Sequence, residues 1–143
     1  MFYGDNVQDT RQVFFSSWEK YRLKQPLLPL EQQIVSVIIA HPEYHRMLEN
    51  KYAMEQSYFP EMGQTNPFLH MGLHLAVRDQ IATDRPIGIS QLYKQLLIRF
   101  GDELTAEHKM IDCLAEYLWQ AQRAQQPPDE INYFNKLSDL LNC

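Results

Sequence analysis

The sequence predicts an all-α protein, a compact bundle of five or six helices. Two observations carry that prediction. Five segments repeat their apolar residues at the helical period of 3.6, and no segment sustains the two-residue alternation of a half-buried strand. The chain also lacks internal repeats and low-complexity stretches, so short connections between helices suffice.

The first helix is expected over Arg11–Gln25, where Phe14, Trp18, Tyr21 and Gln25 recur at i, i+4, i+7 and i+11. Phe14 and Phe15 cannot share one face, so the second is expected under another element or in a homodimer contact. Pro26 and Pro29 interrupt this helix, and Leu30, Ile34, Val37 and Ile38 open a second. His41 is the next position on that stripe. Pro42 opposes the carbonyl of Ile38 and disfavours helical geometry at His41, which predicts a kink or a restart running to about Asn50. Tyr52 to Thr65, with Pro60 and Gly63, shows no period and reads as a loop.

Asn66-Pro67 is a helix start with a mechanism. Asn accepts a bond from a free backbone amide, and proline at the first helical position loses nothing by lacking its own. The third helix is expected to reach about Asp84. Asp84-Arg85-Pro86-Ile87-Gly88 then turns the chain into a fourth, whose Ile89, Leu92, Tyr93, Leu96, Leu97 and Phe100 form its stripe before Gly101 ends it. The fifth spans about Leu104 to Gln125, with Leu104, Ile111, Ala115 and Leu118 read as inward. After Pro127-Pro128 a last helix carries Ile131, Phe134, Leu137 and Leu141.

The 143 residues, 45% hydrophobic and 22% charged, describe one globular helical domain over residues 1–143. Such a length supports a core without a disulfide or a structural metal. The net charge of −5, from 13 basic and 18 acidic residues without a basic run, argues against nucleic acid. No apolar run approaches a membrane span, and Met1-Phe2-Tyr3-Gly4-Asp5-Asn6 lacks the features of a signal peptide, so no membrane partner and a cytoplasmic location are expected. Cys113 and Cys143 are too few for a thiolate zinc module and agree with a reducing compartment.

The informative feature is the histidines. His41 and His45 are four apart, His70 and His74 are four apart, and His108 precedes Asp112 by four. On a helix such residues share a face, with Cβ atoms about 5–6 Å apart, close enough for two imidazoles to hold one ion. His70 and His74 continue into Val77 and Ile81, and His108 lies with Ile111 and Ala115, so both sets are expected to face inward. Candidate metal ligands are therefore His41, His45, His70, His74, His108 and Asp112, with His70, His74 and His108 expected to converge. The donor set suits zinc, iron or nickel, and no organic cofactor is indicated. A metal-dependent enzyme would draw its general base from Glu107 or Asp112, but no residue pattern establishes a reaction. The competing reading is a protein-interaction module that docks through Tyr58, Phe59, Pro60 and Met62, with the histidines forming a structural hydrogen-bond network.

In chain order His-x-x-x-Glu, His-x-x-x-His and His-x-x-x-Asp resemble the ligand order of hemerythrin-like bundles. The last spacing is one residue shorter than in that pattern, and its isolated N-terminal histidine is missing. A broader resemblance rests on Ile39-Ala40-His41-Pro42-Glu43-Tyr44-His45, on Asn66-Pro67-Phe68-Leu69-His70 with His74-Leu75-Ala76, and on Arg85-Pro86-Ile87-Gly88-Ile89. It extends through Ala106-Glu107-His108, Cys113-Leu114-Ala115-Glu116 and Trp119-Gln120-Ala121-Gln122-Arg123. Together these are similar to a family of small bacterial proteins known only as a domain of unknown function, the family numbered 1841. The resemblance covers nearly the whole chain and implies a compact bacterial protein without an assigned activity.

Overall fold

A computed structural model describes residues 7–50, 52–53 and 66–142. Among the described residues the regular structure is entirely helical, in seven α-helices and short 3₁₀ turns, where the sequence predicts five or six helices. The chain divides into two compact units, Met1–Leu75 and Ala76–Cys143, each with its own packing.

The first unit begins with α1 (Val7–Arg22) and α2 (Pro29–Ile39). Both Phe14 and Phe15 of α1 are buried, joined by Trp18 and by Ile34, Val35, Val37 and Ile38 of α2. Phe68 packs on Phe15, with ring centroids 5.9 Å apart, so the second phenylalanine lies under another element of the chain. Proline is tolerated at the start of α2, where no intrahelical amide bond is lost. Glu31 accepts from the Leu28 amide at 2.8 Å and from Lys20 Nζ at 2.7 Å. Those bonds, Lys20 first, hold its carboxyl below the usual range.

After Ile39 the helix ends. Pro42 has no amide to give to the Ile38 carbonyl, and the residue before a proline is pushed out of helical geometry, as His41 shows at φ −125° and ψ 68°. A 3₁₀ turn at Pro42–Tyr44 and the one-turn α3 (His45–Leu48) follow. Residues 54–65, including Tyr58, Phe59, Pro60 and Met62 of the expected docking loop, lie outside the described residues, as does Cys143.

The next helix, α4 (Pro67–Thr83), crosses the division between the units. Asn66 caps it as expected: its Oδ1 accepts from the amides of Phe68 at 3.0 Å and Leu69 at 3.3 Å. Phe68, Met71, Leu73, His74, Leu75 and Val77 are all buried, which is the pattern of a helix enclosed around most of its circumference.

In the second unit, Asp84 Oδ1 accepts from the amides of Gly88 and Ser90 at 3.1 and 3.0 Å, and these bonds, Ser90 first, lower its pKa. The turn delivers the chain into α5 (Ile89–Phe100), closed by Gly101 at φ +79°, where its amide meets the Leu97 carbonyl at 2.7 Å. α6 (Glu103–Arg123) starts at Asp102, whose carboxylate accepts from the Thr105 amide at 2.9 Å. α7 (Glu130–Asp139) starts at Asp129 in the same way.

Ile111 of α6 and Leu137 of α7 are buried as expected, but the rest of these two inward faces differs from the expectation. Leu104 and Ile131 are exposed at 37% and 74%, while Ala106, Glu107, Met110, Ile111, Leu114 and Tyr117 line the inside of α6, and Tyr133 and Leu137 that of α7. On α6 the reason is Glu107. Reading it as polar turns the apparent stripe away from it, yet Arg78 Nε donates to its Oε1 at 3.1 Å and lets the carboxylate go inside. Tyr133 stacks on Tyr117 with centroids 5.0 Å apart and donates to Gln80 Oε1 at 2.7 Å, and burial pushes its phenol pKa up.

Candidate metal centre

Three of the predicted ligands meet in the first unit. The ligand atoms of His41, His70 and His74 lie within 4.8 Å of one another. Two local features bring them there. Pro42 expels His41 from α2, and the Asn66-Pro67 start fixes the rotation of α4 so that His70 and His74 project along one side.

The rings meet edge to face. His41 lies 4.8 Å from His70 and 5.1 Å from His74 between centroids, with interplanar angles of 87° and 82°. His41 Nε2 is 2.9 Å from His74 Nδ1, so one of these two nitrogens carries a proton that the other accepts. His74 is fully buried and His41 is 2% exposed, while His70 is half-buried. A polar contact this enclosed matters energetically: removing one partner of a buried hydrogen bond costs about 1–3 kcal/mol.

The 3₁₀ turn completes the surroundings of His41. Glu43 Oε1 stands 3.5 Å from Nδ1, and the Tyr44 ring stacks on the imidazole at 5.3 Å and 21°. Tyr44 also reaches His70, with centroids 6.3 Å apart. Burial, and next the Glu43 carboxylate, push the Tyr44 phenol up, so it remains a neutral hydroxyl at ordinary pH. Tyr44 was not among the predicted site residues. Its place depends on the turn following His41, and a helical spacing rule does not describe a 3₁₀ turn.

His45 stands apart from this group. Its Nε2–H donates to the Ile38 carbonyl at 2.7 Å, which also accepts from the His41 amide at 2.9 Å, and its ring packs on Trp18 at 4.5 Å. The partial signal in the sequence is Pro42, which removes the usual i→i−4 amide bond to that carbonyl and leaves room for a second donor.

The remaining candidates belong to the second unit. His108 is half-buried on α6 and donates from Nδ1–H to the Leu104 carbonyl at 2.7 Å, which makes Nε2 the lone-pair nitrogen of the neutral ring. Asp112 is exposed. Glu107, considered above as a general base, is buried and paired with Arg78.

No helix among the described residues is long and apolar enough to cross a membrane. Among curated proteins and among solved structures, nothing matches the chain. A family model does: the one described as a domain of unknown function (DUF1841) matches residues 6–139, and the chain belongs to that family.

Proposed function

We propose that this protein binds a first-row transition metal ion through His41, His70 and His74. The observation that carries the reading is the enclosure of three imidazoles whose ligand atoms lie within 4.8 Å of one another, two of the rings almost without solvent exposure. Donors bound at about 2.0–2.1 Å are separated by about 2.9 Å at a right angle and about 3.3 Å at a tetrahedral one. The 2.9 Å between His41 and His74 is close to both, so little ring movement separates a shared proton from a shared ion. Imidazole donors without thiolate suit zinc, iron or nickel.

His45 and Asp112 are left out of this ligand set, one because its Nε2 serves the Ile38 carbonyl and the other because it is exposed. With three histidine ligands, an open position for water would remain on the ion, and a metal-dependent reaction would begin there.

A second reading has its own observation. The direct His41–His74 bond is a complete hydrogen-bond pair without an ion, and such a pair holds α4 in register with the turn after α2. Elemental analysis of protein purified without an affinity tag separates the two. The metal reading expects close to one equivalent of zinc, iron or nickel per chain, depleted in His74→Ala. Metal-free protein that takes up none of these ions on titration leaves the hydrogen-bond network as the role of the histidines.

A further inference from the structure

His41 is the hub of the cluster, since it touches both other rings, and the adjoining turn grips it from two further sides. Glu43 Oε1 faces Nδ1 at 3.5 Å and Tyr44 covers one ring face. Pro42 makes this possible by removing His41 from helical geometry and starting the 3₁₀ turn in which the next two side chains fold back on the imidazole. A neutral imidazole has one N–H and one lone pair, and the partner of one nitrogen decides the state of the other.

We propose that Glu43 is a positioning residue whose carboxylate keeps the proton of His41 on Nδ1 and so presents Nε2 as a lone pair toward His74. An acceptor-only carboxylate facing a bare Nδ1 would set two lone pairs against each other, whereas Nδ1–H gives it a donor. With Nδ1–H fixed, the proton in the 2.9 Å contact belongs to His74 Nδ1, and His41 Nε2 accepts it. The Tyr44 ring, stacked at 21°, opposes the ring flip that would exchange the two nitrogens. For the metal site this is the arrangement in which a carboxylate orients a histidine ligand and raises its basicity. That consequence rests on the metal reading proposed above; the tautomer assignment does not.

Two measurements on the full chain keep these apart. Glu43 is 57% exposed at its side chain, so its variants are expected to keep the fold. In metal-free protein at about pH 8, where an ordinary imidazole is neutral, long-range nitrogen–proton correlation spectra identify which ring nitrogen is protonated. His41 is expected with Nδ1–H in the wild type and in Glu43→Gln, whose amide oxygen still accepts, and with Nε2–H in Glu43→Ala. The same tautomer in wild type and Glu43→Ala overturns the proposal. In the second measurement zinc(II) alone is titrated into each protein. Affinity is expected to fall about 10–100-fold in Glu43→Ala and to be largely restored in Glu43→Gln. If wild-type protein binds no zinc while the tautomer shifts, the metal reading falls and the positioning role stands. If zinc binds equally to all three proteins and the tautomer does not move, the positioning role falls and the metal reading stands.

Discussion

His74 joins two demands that rarely coincide, full burial and two polar ring nitrogens, and its substitution therefore has two separable effects. Replacement by alanine leaves a cavity and strips His41 Nε2 of its partner, for an expected loss of about 2–4 kcal/mol in urea unfolding of the metal-free protein. His74→Phe fills most of the volume without a nitrogen. It is expected to unfold closer to the wild type than His74→Ala does, yet to bind no more metal. Equal stability of wild type and His74→Ala would show that the His41 contact contributes nothing. Asp84 gives a pH test at the same scale. Its folded pKa is depressed by the Ser90 and Gly88 amides, so its contribution is present above the ordinary carboxylate value of 3.8 and is lost as pH falls through the folded value. The stability of Asp84→Ala is therefore expected to fall less steeply than that of the wild type in acid below about pH 4, and parallel curves would contradict the contribution of these turn bonds.

Helix ends were the most legible elements, because their signals are local. Asn66-Pro67 and Gly101 stand where the sequence places them, and each has the hydrogen bond its residue type requires. Gly101 gives a clean test, since a Cβ there would meet nothing within 4 Å and only the positive φ would resist it. Gly101→Ala is expected to lower stability by about 1 kcal/mol in thermal unfolding, and Gly101→Asn by clearly less. An alanine variant as stable as the wild type would contradict the left-handed cap. Helix faces were harder to read wherever a charged residue is buried by a distant partner. Arg78 is 29 positions from Glu107, so no window on α6 reveals that this carboxylate faces inward. The site shows the same division. The rotation of His70 and His74 follows from helical spacing, whereas the roles of Glu43, Tyr44 and His45 follow from the non-helical turn that Pro42 imposes.

At the scale of the molecule, two helical units fold from a chain of the DUF1841 family, and His41, His70 and His74 belong to the first. A ligand that binds only the folded state stabilises it in proportion to its occupancy, so metal binding at this cluster must appear as a rise in thermal stability. An ion at 100 times its Kd adds about 2.7 kcal/mol. The most direct test is a thermal melt of tag-free, chelator-treated protein with and without each of zinc(II), nickel(II) and anaerobic iron(II), run alongside His74→Ala. A rise in Tm with at least one ion in the wild type, absent from His74→Ala and matched by one bound equivalent, is the predicted result. A wild-type melt that none of the three ions moves, with no ion bound at equilibrium, would contradict the metal centre.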